Sequence, residues 1–178
     1  VQASYRPFTK EWMYFNQHFN NRVYQMPKIF PSPNTENRVI CVTGLGETKG
    51  FSSLISDIIP NFHFIAGSQC FPLYLYEKTE EDESVSDNKK QMDFFVSKKT
   101  KSKDSDNTYV RKDGISDDGL KHFQNAYPKE KINKEDIFYY IYGLLHSPDY
   151  RNKYADNLSK ELPRIPCVKT AKDFWAFS

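Results

Sequence analysis

Apolar and polar positions divide the chain into three stretches of different rhythm. Residues 1–76 read as strand-rich. The runs SYRPF (4–8) and EWMYF (11–15) are short and aromatic, and they flank Thr9-Lys10 in a hairpin-like arrangement; Pro7, which has no N–H to give, confines the first to a sheet edge. RVICVTG (38–44) is a β-branched run closed by glycine. FSSLISDII (51–59) fits strand or helix, because periodicity does not separate the two in so short an apolar run. NFHFIAGSQCFPLYLY (61–76) supplies a further pair of strands around Gly67-Ser68, and PKIFPSPNTEN (27–37), with three prolines, reads as loop.

Residues 77–112 form a charged insertion. EKTEEDESVSDNKK is mainly acidic and SKKTKSKDSDN mainly basic, with MDFFV between them as a strand or anchor. Its 77–107 part has the composition of a solvated excursion, and its Lys-rich limb is an alternative phosphate contact. From 113 onward the rhythm turns helical. Ser116 is placed to cap DDGLKHFQNAY, and Asn133, with Asp136 three residues on, to cap a second helix in capping-box style. There Ile137, Phe138, Ile141, Leu144 and Leu145 recur at the spacing of a buried stripe. Tyr150, Tyr154, Leu158 and Leu162 recur every fourth residue before Pro163 stops the helix, and TAKDFWAF closes the chain as a short amphipathic segment. The expected fold is α+β in a single 1–178 domain: a strand-rich N-terminal part with a mostly antiparallel or mixed sheet, then a C-terminal cluster of three to four helices.

Composition changes this picture little. Fourteen Phe, twelve Tyr and two Trp in a chain of mean hydropathy −0.73 imply a core built on large rings beneath a polar surface. A net charge of +2 does not by itself call for a polyanionic partner, so any nucleic-acid footprint must come from charge placement. Cys41, Cys70 and Cys167 are far apart in sequence and form no CxxC pair, which points away from zinc and toward a reducing, cytoplasmic setting. No apolar run approaches membrane-spanning length. The start VQASYRPFTKEW has neither initiator Met nor signal-peptide pattern and reads as a chain entered part-way.

The chemistry-bearing motifs are incomplete. VICVTGLGETKG places Gly44, Gly46 and Gly50 after a strand, yet no acidic residue ends the next strand as a dinucleotide site requires. It is not a phosphate-binding P-loop either, since Lys49 precedes glycine rather than Ser or Thr. In LLHSPDYR, the residues His146, Ser147 and Asp149 splay around Pro148; helix termination and capping explain them better than a Ser/His/Asp device does. The histidines His18, His63, His122 and His146 are too scattered for a ligand set, and neither a PD-(D/E)xK nuclease pattern nor an Asn-Pro-Pro-Tyr-like methylation tetrad can be read. The residues alone describe a binding or structural domain, with no complete active site.

YRPFTKEWMYF, VICVTGLGETKGFSSLISDIIPNFHF, QCFPLYLYE, ISDDGLKHFQ and INKEDIFYYIYGLLHSPDYRNKYADNLSKELPRIP…DFWAF together resemble the C-terminal specificity region of Type ISP restriction-modification enzymes. These are single-chain bacterial proteins also described as helicases or Type III restriction proteins. The resemblance spans the chain except residues 77–107. It implies a non-catalytic target-recognition domain that reads double-stranded DNA for an adenine-N6 methyltransferase, and that partners this and a nuclease-coupled translocase in one polypeptide. S-adenosylmethionine, ATP and magnesium are implied only for those upstream domains, with no cofactor or metal in this one. On this reading the expected DNA contacts are Arg6, Lys10, Asn20, Asn21 and Arg22 near the first hairpin, and Lys49, Ser52 and Gln69 around the glycine turn. The basic limb adds Lys98, Lys99, Lys101, Lys103, Arg111 and Lys112, and Asn34 is a further amide. Arg6, among aromatic neighbours, has the alternative of pairing with a carboxylate inside the fold. A contiguous basic face is expected. A competing class, an interdomain interaction module with no base readout, predicts an exposed apolar patch instead; a third, a self-contained enzyme, needs His63, His122 or His146 to meet carboxylates in one cleft.

Overall fold

The computed structural model describes residues 1–16, 18–78 and 109–178. MDFFV and Lys98, Lys99, Lys101 and Lys103 therefore lie outside the described residues. The order is β1 (Gln2–Arg6), β2 (Thr9–Trp12), α1 (Met26–Ile29), β3 (Val39–Val42), β4 (Ser53–Ser56), β5 (Ile59–Pro60), β6 (Gln69–Pro72), β7 (Tyr74–Lys78), β8 (Tyr109–Asp113), α2 (Asp117–Ala126), α3 (Lys134–His146), α4 (Pro148–Lys153), α5 (Ala155–Leu158) and α6 (Ala171–Phe177). The fold is α+β, as expected, with the strands mostly N-terminal and the helices C-terminal apart from the short α1 between β2 and β3.

Three small sheets replace a single larger one: β2-β1-β5, β4-β3-β6 and the hairpin β7-β8. All pairings are antiparallel except β1 with β5. The central strand β3 is buried along its whole length. Ile40 and Val42 enter a core with α2, α3, α4 and α6, while Val39 and Cys41 enter a second core with Ala3, Ile29, Phe30, Ile59 and Phe64. Alternation along a strand places these pairs on opposite faces, so this strand joins two cores. Pro72 sits where β6 is an edge. Leu73 N donates to Arg38 O at 2.8 Å, which makes Val39–Pro72 a pair without mutual hydrogen bonds, so the missing N–H faces away from β3.

Asn37, buried just before β3, ties this arrangement together. Its Nδ2 donates to Ile29 O (2.9 Å) and Tyr74 O (2.7 Å), and its Oδ1 accepts from the backbone N–H of Arg38 (2.8 Å) and Tyr74 (3.1 Å). One side chain thus satisfies backbone groups of α1, of the entry to β3 and of β7.

The helical part follows its caps. Ser116 accepts from Gly119 N, Asn133 and Asp136 form the full capping box, Ser147 caps α4 with Pro148 at its first position, and Thr170 accepts from Asp173 N at the start of α6. The tyrosines of the 136–166 stretch pack. Tyr140 is wholly buried and stacks on Phe174 with ring centroids 4.8 Å apart. The hydroxyls of Tyr150, Tyr140 and Tyr127 donate to the carbonyls of Arg164 (2.7 Å), Pro166 (2.6 Å) and Val168 (2.7 Å).

Several expectations change. The hairpin turns at Pro7-Phe8, not at Thr9-Lys10, so Pro7 lies in the turn rather than in the strand, where its lost donor costs nothing. FSSLISDII is two strands, β4 and β5; residues 62–65 are turn, and both strands of the 61–76 stretch follow Gly67. α1 occupies part of the proline-rich loop because Pro27 sits in its first turn, where a missing N–H is harmless. The stretch before 113 ends in strand β8, paired with β7. The 148–162 helix is two short ones, broken at Tyr154, and Leu162 is exposed. Cys41 and Cys70, distant in sequence, are cross-strand neighbours.

Asn37→Ala is expected to lower unfolding free energy by about 2–4 kcal/mol, since it strands buried backbone partners. Asn37→Asp should cost more at neutral pH, because a carboxylate then faces the Ile29 and Tyr74 carbonyls, and should recover part of the loss as acid protonates it. Urea unfolding at two pH values checks both; equal, small effects would show that the side chain organises nothing.

Candidate nucleic-acid interface

The β1–β2 hairpin is attached to the rest of its sheet only near its base. β5 pairs with Ala3 and Ser4 and reaches no further, so residues 5–10 stand as a ribbon of two strands. A register shift between Ser4 and Arg6 adds a bulge there. All four residues of β2 are exposed, and Phe8, at the turn, is 98% exposed with φ +68°. That backbone region favours glycine and is unusual for a bulky side chain. Arg6 is exposed and sits over the Tyr5 ring at 5.4 Å, so the alternative of an internal carboxylate partner does not hold: its place at the ribbon's outer end keeps it from the core. Lys10 Nζ lies 4.0 Å from Asp57, with both side chains more than half exposed, a weak pair.

Beyond the ribbon, Asn20 uses its amide internally, donating to Tyr14 O (2.7 Å) and Asn16 O (2.9 Å); this removes its donor from any base contact. Asn21 and Arg22 are exposed, with Arg22 at φ +56° and Tyr24 at +48°. Tyr5, Phe8, Trp12, Tyr14, Phe19 and Tyr24 are all exposed rings within residues 5–24. Trp12, Phe30, Asn34 and Asp57 line a shallow groove of about 380 Å³ beside the hairpin. The sequence offered no signal for Phe8 or Trp12, whose significance lies in exposure.

The remaining candidates fall elsewhere. Lys49, Ser52 and Gln69 gather at one end of the β4-β3-β6 sheet, where Val42 pairs with Gln69 and Thr43 meets Ser52. Lys49 is exposed, whereas Ser52 engages Thr43 through its backbone N–H and carbonyl. The glycines here serve the turn: a side chain on Gly44 would lie 2.3 Å from Gly67 O, and Gly46 and Gly50 have positive φ. Arg111 and Lys112 are occupied within the β7-β8 hairpin: Arg111 lies over the Tyr74 ring at 4.2 Å and Lys112 pairs with Glu77. Among the described residues the candidate cations thus sit on three parts of the fold, the first hairpin with the stretch after it, the glycine turn and the β7-β8 hairpin, and the first of these is also the richest in exposed rings. Among those residues no three His, Cys, Asp or Glu side chains converge as metal ligands, and no helix is long and apolar enough to cross a membrane.

A family model described as the Type ISP C-terminal specificity domain matches residues 1–178. Solved structures are similar over nearly the whole chain. A DrdV–DNA complex has 36% identity and a TM-score of 0.76 over 99% of this chain. The ATP-dependent Type ISP restriction-modification enzyme LlaBIII bound to DNA has 29% identity and a TM-score of 0.74 over 98%. A nuclease-deletion mutant of the Type ISP enzyme LlaGI with a DNA substrate mimic has 30% identity and a TM-score of 0.68 over 99%. The chain spans 14%, 10% and 12% of the lengths of those proteins. No curated protein matches the chain.

His146 and the Cys41–Cys70 pair are titratable groups set inside the fold. His146 Nε2 is 3.3 Å from Ser53 Oγ, so its partner is a serine from β4 and not Ser147 or Asp149; burial and then the Arg151 charge hold its pKa below the usual value. A lowered folded-state pKa means stability that is present above the unfolded value and lost as pH falls through the folded one. Stability should therefore decline as pH falls through and below the ordinary imidazole range, and His146→Gln should remove part of that decline; an unchanged slope would exclude His146 as its source. Cys41 and Cys70 have their sulfurs 3.5 Å apart. Their hydrogen bond raises Cys41, with burial adding to it, and lowers Cys70. They occupy a pair without mutual backbone hydrogen bonds, where Cα atoms are about 4.5 Å apart, within disulfide range. A small-molecule disulfide is expected to join them with release of two small thiols, leaving Cys167 free. Peptide mapping checks this, and mixed disulfides without a 41–70 link would contradict it.

Proposed function

The chain belongs to the family of Type ISP C-terminal specificity domains, and we propose that it reads DNA sequence on behalf of a larger restriction-modification enzyme. In this reading it holds double-stranded DNA so that an adenine-N6 methyltransferase in the same polypeptide reaches its target base, and it is coupled through that enzyme to an ATP-driven translocase and nuclease. The domain itself carries out no chemistry. S-adenosylmethionine, ATP and magnesium belong to the other domains, and the work is done beside the genome, in the cytoplasm.

The observation that carries the proposal is the family match over residues 1–178, together with three similar structures that each hold DNA or a DNA mimic. The physical division of labour is a general one. Phosphate contacts fix register and orientation, while base-edge contacts in the major groove carry sequence information. Arg6 and Lys10 on the ribbon, Asn21 and Arg22 beyond it, and Lys49 on the glycine turn are exposed. Arg111 and Lys112 already have partners within their own sheet and serve the fold first.

The test is a domain exchange in the full-length protein. Expressed in a host without it, the enzyme is expected to methylate adenine in one asymmetric motif, mapped genome-wide. Replacing residues 1–178 by the matching segment of a relative should move methylation to the relative's motif. An active chimera that keeps the original motif would show that sequence is read elsewhere.

A further inference from the structure

The exposed rings and charges of residues 5–24 make only local or loose contacts: Tyr14 meets Phe19 edge-on at 5.7 Å, Arg6 rests on Tyr5, and Lys10 lies 4.0 Å from Asp57. Three of the chain's 25 Lys and Arg, and one of its 23 Asp and Glu, lie in this stretch: Arg6, Lys10 and Arg22 against Glu11. Twenty residues thus hold the whole formal excess of +2. Phe8, at the tip, is almost fully exposed in a left-handed conformation that the surrounding chain does not pack around.

We propose that the β1–β2 hairpin is a two-stranded ribbon that enters the major groove of duplex DNA, with Phe8 leading and Arg6 reaching a base edge. This rests on the reading of the chain as a DNA-recognition domain. The dimensions fit. From the Ser4–Lys10 rung, where β5 ends its pairing, three residues lead to the turn. At roughly 3.3 Å per residue they project about 10 Å, against a groove about 8.5 Å deep and about 12 Å wide, which admits a β-ribbon.

The chemistry fits as well. Alternation puts Lys10 and Trp12 on one side of β2, and Thr9 and Glu11 on the other. The bulge brings Tyr5 and Arg6 to neighbouring positions, with the guanidinium resting on the ring. Arginine is suited to guanine in the major groove, and a phenyl ring to the thymine methyl group. Lys10, held only loosely by Asp57, is free to turn to a phosphate. A ribbon built to dock on protein would be apolar over both strands. Between positions 5 and 10, Tyr5, Arg6, Thr9 and Lys10 all end in polar groups.

The experiment uses the full-length protein, first to enrich duplexes from a random pool, then with p-benzoylphenylalanine in place of Phe8. Irradiation of the complex with an enriched duplex is expected to link position 8 to DNA, at a pyrimidine of the enriched motif. A link into the protein alone would overturn the ribbon while leaving DNA reading intact, because enrichment had already succeeded. Failure of the unmodified protein to enrich any motif would remove the reading itself, and the ribbon with it. Two further variants guard against a merely structural effect. Phe8→Gly suits the backbone at φ +68°, so its thermal midpoint should be kept or raised. It and Arg6→Gln should each relax discrimination at one position of the motif, by about 5- to 150-fold for the arginine. Undiminished discrimination in both would overturn the proposal.

Discussion

Burial of β3 on both faces is the constraint from which the rest of the structure follows. A strand that is apolar at every position, Val39-Ile40-Cys41-Val42, cannot sit on a surface, so each face needs its own cover. One face is covered by the long helix α3 and its neighbours, the other by α1, the first hairpin's base and the 59–64 segment. Each fully buried Val or Ile contributes about 1.5–3 kcal/mol from the removal of apolar surface from water. Three such residues on one four-residue strand outweigh any single cap or ion pair in the chain. The polar consequence is handled by Asn37, which saturates the backbone groups left open where α1 and β7 meet the start of this strand.

Tyrosine, abundant in the chain, solves a second problem. The segment from Arg164 to Val168 runs without a strand partner, yet its carbonyls at 164, 166 and 168 all face the helical core. Alternate residues of an extended chain point the same way, so three hydroxyls at the right depths can satisfy three carbonyls in a row. Phenylalanine would fill the same volume and leave those carbonyls without partners. Burial pushes the three phenols above their ordinary pKa, which keeps them as donors. In the ring-rich 136–166 stretch, Tyr140 and Tyr150 therefore serve as both core and backbone clamp.

Local signals in the sequence were the dependable ones. Ser116, Asn133 with Asp136, and Ser147 with Pro148 cap helices where expected, because a cap is a contact between residues three apart. Long-range pairing was much harder to read. β8 carries no clear sequence signal, because its partner β7 ends some thirty residues earlier, across the charged stretch, and YVRKD has few apolar positions to announce a strand. The hairpin turn lies two residues before the position the sequence pattern predicts, because Pro7 and Phe8 continue a strand-like run and only a tertiary fact, an exposed ring at positive φ, reveals a turn. Candidate site residues divide the same way. Arg6 and Lys10 are exposed, as a contact to DNA requires, whereas residue type alone does not show that Asn20 spends its amide on Tyr14 and Asn16, or that Arg111 rests on Tyr74.

Total charge was the least informative number in the sequence, and the structure explains why. A polyanion responds to charges within about a Debye length, roughly 10 Å at 0.1 M salt, and not to the sum over a domain. Lys112 with Glu77, and Lys134 with Asp113 and Asp117, spend cations on the fold itself. Arg6 and Arg22 have no carboxylate partner among the described residues, and Lys10 only a distant one. The separation follows from topology. Residues of the β7-β8 hairpin and α3 face other elements that carry acids, whereas the distal first hairpin has left its sheet and approaches only Asp57, through Lys10. A projecting ribbon thus concentrates unneutralised charge without raising the net charge of the chain, and its rigidity comes from the buried strand pairing at its base.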